Sequence, residues 1–303
     1  MDFFAKTDLG LVRSINQDYY IVKNTKVGIF PNLFIVADGV GGNKESGFAS
    51  KYCSEFVVEQ LERVDTGNDY IGELNKAIRL ANTDIFYKIL SKESFKGMGT
   101  TMVLLTIVNG IAIVGNVGDS RCYHIRDNII QITNDHSMAE ELARELKIER
   151  YSKEYYRYKS QLTRAFGGGR SIKPDFFEKE LLDGDYLLLC SDGLTNMVSN
   201  EKIQSIVVRK DKSLEEKVDE LINEANKNGG VDNIAVILIY VDNIDKKNQI
   251  FEKEKLEYNN AISNNELNKN DDENDLKIYE IKKKRDLTLD DFNEGDYGDD
   301  NEK

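Results

Sequence analysis

Residues 101–118 read TMVLLTIVNGIAIVGNVG, two apolar runs that meet at Asn109-Gly110. Asn-Gly favours positive φ at both central positions of a two-residue turn, the geometry that closes a tight antiparallel hairpin. The stretch predicts paired strands over 100–108 and 110–117. Further strand candidates, rich in Val, Ile, Leu, Phe and Tyr, lie at 2–7, 18–23, 31–38, 120–126, 172–180, 185–191 and 233–241.

Helical patterns fall between these runs. Residues 44–63 carry Phe48, Cys53, Phe56, Val57 and Leu61 at three- and four-residue spacing, and 69–91 carry Leu74, Ile78, Ile85, Phe86 and Ile89. Ser213-Leu-Glu-Glu216 has the form of a capping box opening a later helix. A second such box, Ser137-Met-Ala-Glu140, opens a polar, tyrosine-rich segment running to about residue 160, read as a mobile helical excursion on the surface. Two successive helices followed by a block of strands predict one α+β domain over 1–242 rather than an alternating βαβ fold.

After Asp242 the composition shifts. Residues 243–303 have no persistent apolar face, and a basic run, Lys282-Lys-Lys-Arg285, precedes a strongly acidic end. Such a segment buries too little apolar surface to offset its ordering entropy, so a disordered tail is expected. An inert spacer is the simpler reading; the basic run meeting the acidic end or an anionic partner is the other.

Composition excludes several classes. A net charge of −13 argues against a nucleic-acid partner, which needs a basic face. No run approaches the roughly 20 apolar residues of a membrane span. The opening MDFFAKTDLG predicts no secretory signal, and three widely spaced cysteines suit free thiols in the cytoplasm. A monomer is expected.

The chemistry is concentrated where apolar runs meet carboxylates. Asp38 ends one in IVADGVGGN, Asp119 follows IAIVGNVG, Asp192 follows YLLLCS, and Asp232 stands just before NIAVILIYV. Asp18 lies beside YYIV. Each alone reads as a turn residue. Together they place like charges at strand rims, and if these rims share one end of the sheets, cations must neutralise them. Hard divalent cations take such oxygen ligands, and the glycines beside Asp38 leave its neighbourhood open to them. The two histidines, His124 and His136, are twelve residues apart and form no zinc pattern; they read as a strand residue and a turn or cap residue. No cysteine is followed by arginine six positions on, no GxxxxGK[ST] occurs, and Asp183-Gly-Asp reads as a turn.

Seven short motifs stand in order along 1–242: Arg13 with Asn16-Gln17-Asp18, Asp38-Gly-Val-Gly-Gly42, Gly99-Thr-Thr101, Gly115-Asn-Val-Gly-Asp-Ser-Arg121, Leu162-Thr-Arg-Ala-Phe-Gly167, Ser191-Asp-Gly-Leu194 and Asp232-Asn233. They resemble the metal-dependent protein phosphatase family, type 2C. The likeness is closest to the bacterial single-domain members, which share a flap-like segment after Asp135-His136-Ser137, here about 137–160. It implies a four-layer αββα sandwich of two antiparallel sheets flanked by helix pairs. It implies two Mn²⁺ or Mg²⁺ ions, with Asp38 bridging them, the Gly39 carbonyl as a further ligand, and Asp192 and Asp232 holding one. Asp119 would serve an additional ion, sharing Asp192. Gln17 and Asp18 would order waters around the ions, and Arg13 would hold the substrate phosphate.

The implied reaction is hydrolysis of phosphoserine and phosphothreonine in proteins by a metal-activated water. Its partners would be phosphorylated proteins, among them a bacterial-type Ser/Thr kinase that it opposes, or phosphorylated regulators of transcription. Val40 stands where animal members carry a histidine thought to protonate the leaving group, so the acid is unassigned. The alternative is a non-catalytic, metal-stabilised module that binds phosphoproteins or a kinase; retention of Asp38, Asp119, Asp192 and Asp232 speaks against it.

Overall fold

The computed structural model describes residues 1–41, 46–146, 148–150 and 152–242. The expected tail, 243–303, lies outside them. The chain runs through β1 (Asp2–Asp8), β2 (Asp18–Lys23) and β3 (Leu33–Val40) into two long helices, α1 (Ser46–Glu62) and α2 (Tyr70–Ser91). Then come β4 (Gly99–Thr100), β5 (Met102–Val108), β6 (Ile111–Val117), β7 (Arg121–Ile125) and β8 (Ile129–Gln131). Two short helices, α3 (Met138–Glu145) and α4 (Lys153–Tyr158), precede β9 (Asp175–Glu180) and β10 (Tyr186–Cys190). The single turn α5 (Asp192–Thr195), then α6 (Asn200–Val207), α7 (Leu214–Lys227) and β11 (Ile234–Tyr240) complete the described chain.

The strands form two antiparallel sheets. One has the order β1-β11-β10-β7-β8, the other β2-β3-β5-β6-β9, with β4 pairing β3. Asn109 (φ 50°) and Gly110 (φ 78°) both take positive φ, and β5 pairs β6 from Val108↔Ile111 to Met102↔Val117. The hairpin expected from the sequence is therefore present.

Side-chain alternation explains the layers. Along β3, Phe34 and Val36 point between the sheets, while Ile35 packs under α1 and α2. Along β11, Ala235, Ile237 and Ile239 face the inter-sheet core, while Val236 and Leu238 meet Val218 and Leu221 of α7. Both faces of the central strands are covered, so they read as continuous apolar runs rather than alternating ones. The result is the α+β, four-layer arrangement expected from the resemblance. Among the described residues, no helix is long and apolar enough to cross a membrane.

The differences from expectation are local. The strand expected over 172–180 begins only at Asp175, after Pro174, which has no N–H for a ladder. The strand expected over 100–108 breaks at Thr101: Gly99–Thr100 pairs Gly39–Val40, and β5 pairs β3 only from Val103 to Leu105. The segment 137–160 holds two short helices and is less superficial than its composition suggests. Ala139 and Tyr155 are buried, and the Tyr155 hydroxyl donates to Glu140 (2.6 Å). The Ser213–Glu216 box is complete, but at Ser137 only half of one forms. There the Glu140 carboxylate turns to Arg150 and Tyr155 instead of the cap.

The Asp183-Gly-Asp turn has a structural function. Asp185 is wholly buried and receives Arg126 in a two-pronged contact, the Leu182 N–H (2.9 Å) and the His124 imidazole at 2.9 Å. Burial alone would raise its carboxyl; the bonds from Arg126, His124 and Leu182 outweigh burial and hold it well below the usual carboxylate range. A folded value below the unfolded one contributes stability that is full above about pH 4 and is lost as pH falls further. Arg126 is partly exposed, which moderates the pair. We expect Asp185→Asn to cost about 2–3 kcal/mol in urea unfolding at pH 7, with the gap from wild type narrowing below pH 4. An unchanged midpoint at pH 7 would contradict this.

Candidate active site

Two sheet rims supply the site. Asp38 lies near the end of β3, opposite Asp18 on β2. Its position is fixed from both sides of the peptide: its N–H donates to Thr101 Oγ1 (3.0 Å), and its carbonyl accepts from Thr101 N–H and Thr100 Oγ1, each at 2.9 Å. The break at Thr101 thus holds the carboxylate's backbone. Thr101 Oγ1 also bonds Ser120 Oγ (2.7 Å), tying this rim to the connection that carries the chain from β6 to β7 in the other sheet. That connection contains Gly118-Asp119-Ser120, a crossover between sheets rather than a hairpin tip. Gly118 has φ +102°, and a Cβ there would sit 2.5 Å from the Thr101 side chain.

The second sheet contributes Asp192 and Asp232. Asp192 opens α5 behind the cap residue Ser191. A Cβ on Gly193 would meet the Asn233 carbonyl at 1.9 Å, so only glycine lets the Asp192 turn lie against the Asp232-Asn233 turn. Asp232 accepts the Asn233 N–H on Oδ1 (2.9 Å) and the Arg13 guanidinium on Oδ2 (2.8 Å). The Arg13 side chain is 47% exposed, so its fork is open to solvent on one side.

Side chains stitch the two rims together. Ser191 Oγ donates to Asp18 Oδ2 (2.6 Å) and accepts the Ala235 N–H (2.9 Å). Asn233 Oδ1 accepts the Gln17 N–H (2.9 Å), and its Nδ2 donates to the Leu9 carbonyl (2.9 Å). The Gln17 carbonyl accepts from Gly39 N–H (3.1 Å) and Ser50 Oγ (2.6 Å). Gln17 therefore joins the strands through its backbone, and Gly39 is held beside Asp38 in the β3–β4 pairing.

The outcome is a basin of negative charge. Burial first, then the charges of Asp18, Asp192, Asp119 and Asp232, raise the Asp38 carboxyl well above its ordinary value. Asp119 is likewise raised, by burial and then Asp192; Asp192 is raised by burial and then Asp232. Asp18 is pushed up to about 7, again by burial first, with Ser191 opposing. The structure thus brings all five sequence-selected aspartates into one electrostatic environment, with Arg13 at its edge. Two buried carboxylate oxygens, Asp18 Oδ1 and Asp192 Oδ1, have no hydrogen-bond partner among the described residues. No three His, Cys, Asp or Glu side chains among the described residues close into a ready-made metal cage. Asp192 and Asp232 are turned onto Asn196 (2.8 Å) and Arg13 instead. The donor set is nevertheless all oxygen and anionic, which is the chemistry of a hard divalent cation.

Several contributors were not given roles by sequence reasoning. Thr101, Ser191 and Asn233 stand inside the quoted motifs, but their cross-sheet bonds have no local signature. Lys159, at the end of the 137–160 segment, donates to Asn196 Oδ1, the residue whose amide binds Asp192. Burial and then Arg121 lower the Lys159 ammonium, against the pull of Asp192, Asp135 and Asp119. Lys159, Arg121 and Asn196 line a cleft of about 390 Å³ beside the basin. His136 is a brace: its Nδ1 accepts the Gly118 N–H (3.1 Å), which leaves the proton on Nε2 facing Asp175 (3.1 Å). His124 lies in β7, as its sequence context suggested.

Comparison with known proteins identifies the family. Residues 24–234 match the model of the family described as Protein phosphatase 2C. The chain is 36% identical over 252 residues to Protein phosphatase PhpP of Streptococcus pneumoniae, covering 81% of this chain and 99% of that one. The crystal structure of serine/threonine phosphatase Stp1 from Staphylococcus aureus superposes with a TM-score of 0.74 at 29% identity, covering 80% of this chain and 95% of that one. The catalytic domain of serine threonine protein phosphatase PstP, in complex with 2 manganese ions, gives 0.67 at 30% identity, covering 80% and 98%. The chain belongs to the protein phosphatase 2C family and is a protein phosphatase.

Proposed function

We propose that the basin hydrolyses phosphoserine and phosphothreonine in proteins, with divalent cations as its cofactor. The observation that carries this reading is the gathering of five aspartates on two facing rims, with an arginine reaching over the edge. Asp38, Asp192 and Asp232, with the Gly39 carbonyl, would hold two Mn²⁺ or Mg²⁺ ions, and Asp119 with Asp192 would hold a third. The two manganese ions of the related PstP domain support this assignment. Divalent cations bound there would supply a water of lowered pKa and positive charge to offset that of the phosphoryl oxygens.

The chain's own residues bind and orient. Arg13 bonds Asp232 here; with Asp232 turned to a cation, its planar fork would be free for the substrate phosphate. Ser191 fixes one oxygen of Asp18 and leaves Oδ1 to accept from an ordered water; Gln17 serves the same solvent. Val40 has no titratable group and cannot protonate the leaving oxygen; a water held in the basin is the proposed acid. Residues 137–160 gate access for the substrate, with Lys159 as the contact to the Asn196–Asp192 pair. The catalytic unit is 1–242, and the tail is a spacer. The protein acts in the cytoplasm as a monomer, opposing a Ser/Thr kinase and its targets.

On a phosphothreonine peptide with saturating Mn²⁺, Asp38→Asn and Asp192→Asn should each lower kcat by about 10²–10³. Arg13→Ala should act mainly on KM, by about tenfold or more. Wild-type kcat/KM in Asp192→Asn would refute the assignment.

The same carboxylates make stability depend on pH. Raised folded values mean that the folded, metal-free protein holds protons that the unfolded chain releases near pH 4. Stability in EDTA should therefore fall as pH rises from about 4 through 7. Saturating Mn²⁺ replaces the protons and should remove the decline, and Asp38→Asn should flatten the EDTA profile. A thermal-melt series in EDTA that rises or stays level over this range would contradict the reading.

A further inference from the structure

The reaction as described leaves a cationic cleft unused. Between α2 and the loop that follows the 137–160 segment lies a cleft of about 680 Å³. Arg79 of α2 and Arg164 and Lys173 of the loop line it, and Thr163 and Ser171 stand among them. No carboxylate is in its wall, although the whole chain carries a net charge of −13. Arg164 is turned onto Asp175 (2.8 Å). Arg79 and Lys173 are exposed, and neither has an ion-pair partner among the described residues.

The wall is held from behind. Asn82 of α2, fully buried, accepts the Gly167 N–H (3.0 Å) and donates to the Gly169 carbonyl (3.0 Å). The loop therefore keeps its course across the helix. A cationic wall is suited to an anionic ligand.

Its distance from the basin is set by backbone pairing. The Thr163 N–H donates to the His136 carbonyl (2.9 Å), and the His136 N–H donates to the Gly118 carbonyl (2.9 Å), next to Asp119. Two hydrogen-bonded backbone spacings make about 10 Å. An extended peptide advances about 3.3–3.6 Å per residue, so about three residues span that distance. A volume of this size also holds several side-chain atoms rather than a single small ion.

We propose that this cleft is a subsite for acidic side chains of the protein substrate, about three positions from the phosphorylated residue. The proposal rests on the phosphatase reading and names a substrate preference within it.

The test uses the full chain with Mn²⁺ and two phosphothreonine peptides, identical except for glutamate or glutamine at the second to fourth positions on either side. Wild type should favour the glutamate peptide by about tenfold in kcat/KM, the scale of a few partly exposed charge pairs. Arg79→Glu/Lys173→Glu should abolish or reverse that preference. It should leave the glutamine peptide and p-nitrophenyl phosphate within about twofold of wild type. The preference should also shrink in about 0.5 M KCl. Equal turnover of the two peptides by wild type would overturn the proposal, as would a preference that survives the double substitution. So would equal losses on both peptides in the double variant. If wild type failed to hydrolyse p-nitrophenyl phosphate, the phosphatase reading would fail and the subsite with it; the other outcomes bear on the subsite alone.

Discussion

Mutual repulsion among Asp18, Asp38, Asp119, Asp192 and Asp232 is the constraint from which the rest of this structure follows. Bringing carboxylates out of water and close together is unfavourable on both counts, and Asp18, Asp38, Asp119 and Asp192 respond with clearly raised proton affinity. A fold tolerates this only where its backbone is held firmly and where cations or protons balance the charge. Both conditions shape the site: rigid rims, and an oxygen-only basin with two buried acceptors that find no partner among the described residues.

Rigidity comes from two sheets whose central strands are buried on both faces. Phe34 and Val36 meet Leu187, Leu189 and Ile237 between the sheets, and Ile35 and Val236 anchor the outer faces beneath helices. The rims are then cross-linked by short polar contacts: Thr101–Ser120, Ser191–Asp18 and Asn233–Gln17. The two neutral bonds contribute only about 1 kcal/mol each and the one to Asp18 about 2, but breaking one would leave a buried group unpaired next to several carboxylates. Gly118 and Gly193 serve the same end by allowing backbones to approach within distances that a Cβ would forbid.

Much of this was legible in the sequence, for identifiable reasons. Asn109-Gly110 fixed the antiparallel hairpin because its turn geometry is local. The aspartates stood out because charges abruptly ended or preceded apolar runs. Short elements were missed: β8, α5 and α6 are too brief to show a period, though Ser199 caps α6 as a side-chain signal would suggest. The Ser137 half-box and the burial of Tyr155 depend on where Glu140 finds its partners, which is a tertiary matter. The same holds for Ser191, Asn233 and Lys159. Their residue types are ordinary, and only the meeting of segments some 170 to 220 positions apart gives two of them a function.

Anomalous diffraction at the manganese edge, from crystals of the full chain grown with Mn²⁺, tests the central claim most directly. The account predicts paired peaks between the two rims, bounded by carboxylate oxygens of Asp38, Asp192 and Asp232, with Asp232 turned away from Arg13. Peaks confined to the outer surface, with Asp232 still bonded to Arg13, would contradict it.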